Sequence, residues 1–267
     1  MEQESSRIHA RAYVASLASM GRYHFTSIEA RNALGVSGDA AKLALNRLSR
    51  QKMIASPARG FYVIVPPEYQ SLGCLPADQF IPALMEQLGL PYYAGLLSAA
   101  QYHGAAHHRP QEFQVLLAKS RRQVRCGKVR VAFIVRKNLQ NVLTQPFNTP
   151  RGTVKVSTPE ATAIDLVGYS HHAGGLDQVA TILSELADRI EAEKLVVAAQ
   201  TAPVTWAQRL GYLLEHVNAG DKTGALKSYV SKYARQTVPL LPKTSDTKGS
   251  RDADWKLYVN VDVEAEL

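Results

Sequence analysis

Ser37-Gly38-Asp39-Ala40-Ala41-Lys42-Leu43-Ala44-Leu45-Asn46-Arg47-Leu48-Ser49-Arg50-Gln51 separates into two faces when wound at helical spacing. Ala41, Ala44, Leu45 and Leu48 recur every three or four residues and form an apolar stripe. Asp39, Lys42, Asn46 and Arg50 fall on another face, and Arg47 flanks it. The preceding Gly35-Val36-Ser37 reads as a tight turn in which the Ser37 hydroxyl caps the helix. A helix over about residues 38–51 is expected, apolar inward and polar outward.

The flanking sequence gives this helix its companions. Thr26-Ser27-Ile28-Glu29 is a capping box: the Thr26 hydroxyl can accept from the Glu29 amide while the Glu29 carboxylate reaches back. It opens a short helix to about Leu34. Earlier still, Arg7 to Met20 reads as a helix with Val14, Leu17 and Ala18 on one face, ended by Gly21. Downstream, Met53-Ile54 leads through Ala55-Ser56-Pro57-Ala58-Arg59-Gly60 into the strand-like Phe61-Tyr62-Val63-Ile64-Val65, a hairpin with Arg59-Gly60 at its tip. Three helices, a short turn before the third, then a hairpin describe a winged helix-turn-helix over residues 1–67. In such modules the third helix enters the major groove and the wing touches the DNA backbone. Asn and Arg can contact adenine and guanine edges bidentately. Ser37, Asp39, Lys42, Asn46, Arg47, Arg50 and Arg59 are therefore the candidate DNA-binding residues. A helical module used for protein contacts is the alternative.

The charge pattern supports a nucleic-acid partner. The chain of 267 residues carries a net charge of +8. Residues 1–67 hold nine Lys/Arg against four Asp/Glu, whereas residues 68–112 hold one against four. From 113 to 159 there are ten basic residues and no acidic one, and 160–267 holds eleven against fifteen. Clustered cations attract phosphate backbones by Coulomb steering and counterion release. Lys119, Arg121, Arg122, Arg125, Lys128 and Arg130 form a second candidate basic surface for operator DNA or RNA. Lys and Arg also blunt exposed sheet edges, which is the plainer explanation.

The length suits two domains. Pro66-Pro67 introduces a stretch read as a linker over 68–75, followed by a larger C-terminal domain over 76–267. There, helices are expected over 78–88, 93–103, 176–187, 192–200, 206–216 and 226–233, and strands over 113–117, 129–135, 152–156, 238–241 and 255–259. Ser157-Thr158-Pro159-Glu160 announces a further helix with its cap, first-turn proline and dipole-facing carboxylate. Lys243 to Asp254 reads as a mobile loop. The fold class is α+β, a winged helix-turn-helix followed by a mixed α/β domain rich in helices.

Chemistry is sparse. Two cysteines, Cys74 and Cys126, exclude a disulfide scaffold and suit a reducing cytosol. No run of about 18 apolar residues spans a membrane, and Met1-Glu2-Gln3-Glu4 lacks a signal-peptide pattern, so a cytoplasmic location is expected. His103 and His107 are four apart, but Gly104 occupies the place where a zinc-protease helix needs Glu. His171-His172 precede Gly174-Gly175 in an expected loop. Glu160 and Asp165 lie five apart and share no helix face. Gly249-Ser250-Arg251-Asp252-Ala253-Asp254 resembles a nucleotidyltransferase signature, except that one residue separates Ser250 from Asp252, too few for a phosphate-cradling turn. No catalytic group, metal or cofactor is expected.

The ordered features resemble one family, the AbiE-type antitoxins and their transcriptional-regulator relatives. The resemblance is carried by Arg59-Gly60-Phe61-Tyr62-Val63-Ile64 running into Pro66-Pro67-Glu68-Tyr69, by Tyr92-Tyr93-Ala94-Gly95-Leu96-Leu97-Ser98-Ala99-Ala100 with His103-Gly104, and by Arg109-Pro110. Ser157-Thr158-Pro159-Glu160-Ala161-Thr162-Ala163-Ile164-Asp165-Leu166-Val167, Gly174-Gly175-Leu176-Asp177 and Trp255-Lys256-Leu257-Tyr258-Val259-Asn260 complete it. It implies an autorepressor that binds inverted repeats in its own promoter. It also implies a C-terminal domain that neutralises a neighbouring nucleotidyltransferase-like toxin acting on RNA, usually without a stable complex. An orphan winged-helix regulator with a sensor or interaction domain is the competing reading, and a nucleic-acid-processing enzyme ranks below both.

Overall fold

The computed structural model describes residues 9–105, 111–242 and 249–265. The N-terminal unit runs α1 (Ala10–Ser19), β1 (His24–Thr26), α2 (Ser27–Leu34), α3 (Gly38–Arg50), β2 (Ile54–Ala58) and β3 (Phe61–Ile64). The capping box forms: Glu29 N–H donates to Thr26 Oγ1 at 3.1 Å, and Thr26 N–H donates to Glu29 Oε2 at 2.7 Å. Gly35 ends α2 at φ 59°, a left-handed conformation that costs glycine nothing. Ser37 Oγ then accepts from Ala40 N–H at 3.3 Å to start α3. The three strands pair antiparallel in the order β1-β3-β2. Val14, Leu17, Phe25, Ala30, Leu45, Leu48, Ile54 and Ile64 close the core between helices and sheet. Ala41 is buried with Leu45 and Leu48, whereas Ala44 is only half-buried at the edge of the stripe.

β3 joins this unit to the rest of the chain because strand side chains alternate. Ile64 and Tyr62 face the helices, while Phe61 and Val63 enter a second core with Leu75, Phe80, Ile81, Leu84, Val115, Val124 and Val131. Of the stretch 68–75, expected as a linker, Glu68, Gln70 and Ser71 are exposed, but its end is built into that core. Cys74 and Leu75 are fully buried, which a tether in water could not sustain.

Beyond it lie α4 (Ile81–Leu88), β4 (Tyr92–Ala94), α5 (Leu96–Tyr102), β5 (Phe113–Leu117), β6 (Val124–Cys126), β7 (Val129–Val135), β8 (Thr144–Thr149) and β9 (Gly152–Ser157). Six strands form one mixed sheet in the order β6-β7-β5-β4-β9-β8. α4 and the N-terminal unit share the core on one face. The larger core on the other face is built from α6 (Pro159–Gly168), α7 (Leu176–Leu186), α8 (Ala192–Ala199), α9 (Val204–His216) and α10 (Gly224–Tyr233). A small sheet of β10 (Val238–Pro239), β11 (Ser250–Asp252) and β12 (Leu257–Val259), ordered β10-β12-β11, completes the chain. The class is mixed α/β.

Three local expectations change. The helix expected over 93–103 begins at Leu96, because Tyr92, Tyr93 and Ala94 pair with Leu117, Leu116 and Val115 as a strand. Gly95 marks the switch: a Cβ there would lie 2.4 Å from Leu116 Cδ1. β8 escaped notice because Pro146 interrupts it, and an edge strand tolerates a proline. Ser250–Asp252, read as part of a loop, is a strand bonded to β12, while residues 243–248 lie outside the described residues. Among the described residues, no helix is long and apolar enough to cross a membrane.

Candidate nucleic-acid interface

α3 shows its charged and amide side chains outward. Asp39, Lys42, Asn46, Arg47 and Arg50 are all exposed, and Ser37 is exposed at the helix start. Among the described residues no ion pair engages Lys42, Arg47 or Arg50. Leu43 belongs to the same surface, though it was not among the candidate residues. It stands 60% exposed, three residues before Asn46 and four before Arg47. An aliphatic side chain in that company is suited to the C5-methyl group of thymine.

The hairpin tip is held in a fixed place beside α2. Gly60, at φ 77°, accepts through its carbonyl from Ser27 N–H at 2.9 Å. Ser56 Oγ donates to Ala58 O at 2.9 Å and to Phe61 O at 3.0 Å. Arg59 is thereby presented exposed at the tip. In the same unit, Arg22 donates to Glu29. Burial pushes the Glu29 carboxyl up, but the Arg22 guanidinium and the Thr26 hydrogen bonds outweigh it and hold the carboxyl below the usual carboxylate value.

The second basic surface gathers at the sheet edge formed by β6 and β7. Arg125 lies directly across from Arg130 in the antiparallel pair. Like charges placed opposite repel, an arrangement that an anion between them would relieve. Lys119, Arg122, Arg125, Lys128 and Arg130 are exposed, and Arg121 is half-buried with its guanidinium 5.7 Å from the Phe133 ring. Two other cations of the 113–159 segment are consumed by structure. Arg151 stacks on Tyr23 at 3.3 Å and donates to Gln79 Oε1 at 2.9 Å, tying the β8–β9 hairpin to the N-terminal unit. Arg136 is buried and donates through Nε to Asp165 Oδ1 at 2.8 Å. Burial works against the Arg136 charge, and the Asp165 carboxylate outweighs it, leaving the guanidinium pKa above its ordinary value.

The remaining chemical candidates have structural partners. His103 is buried with Nε2 2.7 Å from Ser157 O, and His107 lies outside the described residues. The His171 and His172 rings lie 4.1 Å apart, tilted by 41°, in a 3-10 turn. Asp252 Oδ1 accepts from Trp255 N–H at 2.8 Å, and Asp254 pairs with Lys227 at 2.7 Å. Glu160 Oε1 accepts from Glu191 N–H at 3.0 Å, away from the Asp165 pair. Among the described residues, no three His, Cys, Asp or Glu side chains gather where they could hold a metal.

Residues 93–216, from Tyr93 in β4 to His216 closing α9, match the model of the AbiEi antitoxin C-terminal domain. That segment of the chain is similar to the AbiEi antitoxin C-terminal domain. It contains the Arg136–Asp165 pair and the whole basic hairpin. Among solved structures, the chain is similar to the RV2827C protein from Mycobacterium tuberculosis. Sequence identity is 16%, the alignment covers 93% of this chain and 90% of that one, and the TM-score is 0.66. At that identity the likeness speaks to fold alone, and at 93% coverage it reaches beyond residues 93–216 into the N-terminal unit. An antigenic nucleotidyltransferase-like protein from Paracoccidioides brasiliensis aligns at 12% identity over 57% of this chain and 90% of that one, with a TM-score of 0.36, too low to bear on either fold or function. No curated protein matches the sequence.

Proposed function

We propose that this AbiEi antitoxin is a DNA-binding repressor of its own toxin–antitoxin operon, acting in the cytoplasm. Residues 1–67 act as a winged helix-turn-helix, joined through 68–75 to the antitoxin domain over 76–267. α3 is the recognition helix, with Asn46, Arg47 and Leu43 reading base edges while Lys42, Arg50 and the wing residue Arg59 hold phosphates. Asp39 and Ser37 sit at the N-terminal turn of α3, where the helix would approach the groove. The observation that carries the reading is the exposed polar face of α3, whose cations make no ion pair among the described residues, beside the hydrogen-bonded hairpin tip that presents Arg59, in a chain similar over 93–216 to the AbiEi antitoxin C-terminal domain.

The C-terminal domain neutralises a cognate nucleotidyltransferase-like toxin, and the basic hairpin of Lys119, Arg121, Arg122, Arg125, Lys128 and Arg130 is its phosphate-binding surface. Arg125 facing Arg130, with neither in an ion pair among the described residues, supports this assignment. The protein works as a regulator and not as an enzyme.

Titration of labelled DNA from immediately upstream of the gene, against random DNA of equal length, tests the repressor half. Wild type should prefer the upstream DNA, and Lys42→Ala/Arg47→Ala should lose that preference. Equal binding to both DNAs by wild type would remove the repressor assignment. Charge reversal at Arg121 and Arg122 tests the second surface. Unchanged operator affinity together with unchanged toxin neutralisation would defeat it.

A further inference from the structure

A cleft of about 520 Å³ opens beside the basic hairpin, where the β6–β7 turn meets α5 and the segment around Pro76. Leu72, Phe113 and Val129 supply apolar lining, and Tyr102 adds a second aromatic ring. That ring is fixed, because the Tyr102 hydroxyl donates to Asp78 Oδ2 at 3.0 Å and the ring packs on Phe147 at 5.0 Å. The exposed Lys128 and Arg130 border the cleft, and Arg130 continues across the strand pair to Arg125. Asp78 and Glu112 bring carboxylates to the same space.

These groups are an unusual mixture for one ligand. Cations ask for an anion, carboxylates ask for hydrogen-bond donors, and a pinned ring asks for a flat partner. A nucleotide offers all three at once. Unpaired bases of a single strand can splay out, stack on aromatic side chains and hydrogen-bond along their Watson–Crick edges. A base inside a duplex cannot, since its edge is already paired. The volume also falls in the usual range for a small-ligand site.

We propose that this cleft receives one unpaired nucleotide of a single nucleic-acid strand. The base lies against Tyr102 and Phe113, its exocyclic amino group donates to the Asp78 or Glu112 carboxylate, and its phosphate lies on Lys128 and Arg130. The site is separate from α3 and does not depend on the operator reading. It makes the basic hairpin the approach along which the strand's backbone is led in, and it favours cytosine over uracil, which has no amino group to donate.

The test uses the full-length chain and calorimetric titration with 5′-CMP, 5′-UMP, cytidine and a cytosine hexamer in ribo and deoxyribo forms. 5′-CMP should bind saturably, more tightly than 5′-UMP and than cytidine, which lacks the phosphate. The hexamer should bind more tightly still, and a ribo preference would assign the source to RNA. Arg130→Ala should weaken 5′-CMP about tenfold, the usual loss for a charge-assisted hydrogen bond. Gln101→Trp, an exposed position on α5 at the cleft, should block it without lowering the melting temperature. Arg47→Ala should change none of this, so the outcome stands apart from the fate of the operator reading. Absence of saturable binding by both 5′-CMP and the hexamer would overturn the proposal, as would binding that survives Gln101→Trp.

Discussion

Asp165→Asn removes one charge from the centre of the larger fold and leaves the shape of the side chain almost unchanged. Asp165 is fully buried on α6. It accepts from Arg136 Nε at 2.8 Å and from the Tyr93 hydroxyl at 2.6 Å. Arg136 also donates through Nη1 to Lys137 O at 2.7 Å and Thr201 O at 3.1 Å, and through Nη2 to Thr201 Oγ1 at 3.1 Å. Its guanidinium lies 5.1 Å from the Trp206 ring. β4, β7, α6 and the α8–α9 connection therefore meet at one pair of charges. Losing one member of a buried pair costs about 3–5 kcal/mol, because the other charge stays desolvated. The three carbonyl and hydroxyl contacts that Arg136 keeps, and the amide oxygen that Asn can still offer Nε, place the cost near the lower end, about 3 kcal/mol. With a urea m-value of about 3 kcal/mol per molar, the unfolding midpoint should fall by about 1 M. Urea titration followed by circular dichroism and by tryptophan fluorescence, with Trp206 stacked on the site, measures it. The double variant Arg136→Met/Asp165→Leu should be more stable than Asp165→Asn, since no unpaired charge remains. A cost under about 1 kcal/mol for Asp165→Asn, or a double variant less stable than the single, would refute the reasoning.

Burial and the neighbouring Arg189 hold the His103 pKa below its ordinary value of 6.5, against the Ser157 hydrogen bond and Glu160, which raise it. The unfolded chain then binds a proton that the folded chain refuses, so stability should fall as pH drops below 6.5. His103→Gln should flatten that slope in denaturation series at several pH values, and parallel slopes would contradict the assignment. Gly211→Ala should displace Trp255 from the core, since a Cβ at 211 would lie 2.0 Å from its ring. A cost of about 1–3 kcal/mol is expected from such overpacking, with a shift in tryptophan emission, and a variant as stable as wild type would show that α9 can yield. Leu43→Ala should lower operator affinity and make binding indifferent to replacing thymine by uracil in the DNA. Equal sensitivity of wild type and variant to that replacement would remove Leu43 from base reading. Arg47→Ala or Asn46→Ala should cost about 1–3 kcal/mol and relax base preference, while Arg59→Ala weakens all DNA alike and lowers the salt slope. Equal losses on specific and random DNA for all three would sink that division of roles.

The stripes of α3, the capping box at Thr26 and Glu29 and the strand-like run of β3 can all be read from the chain itself. Each depends on residues a few positions apart, and backbone geometry repeats over that distance. The same holds for the ten cations without an acidic neighbour between 113 and 159, and for the apolar spacing of α7 and α9. What each cation does was decided elsewhere. Arg130 and Arg136 are six residues apart in one strand-like run, yet one is exposed opposite Arg125 and the other is buried on Asp165. The difference lies in what the sheet order and α6 bring to each. β4 is three residues long and exists only because β5 and β9 flank it, so helical composition after Tyr93 concealed it. Cys74 and Leu75 look like linker beside two prolines, until the N-terminal sheet and the six-stranded sheet close over them. Leu43 falls outside the apolar stripe at helical spacing, and the packing of α3 leaves it exposed. Local pattern names the elements and their outward chemistry. Contacts between residues tens of positions apart decide which charges are spent on holding the fold and which remain for a partner, since burial is a property of the assembled layers and not of the strand or helix alone.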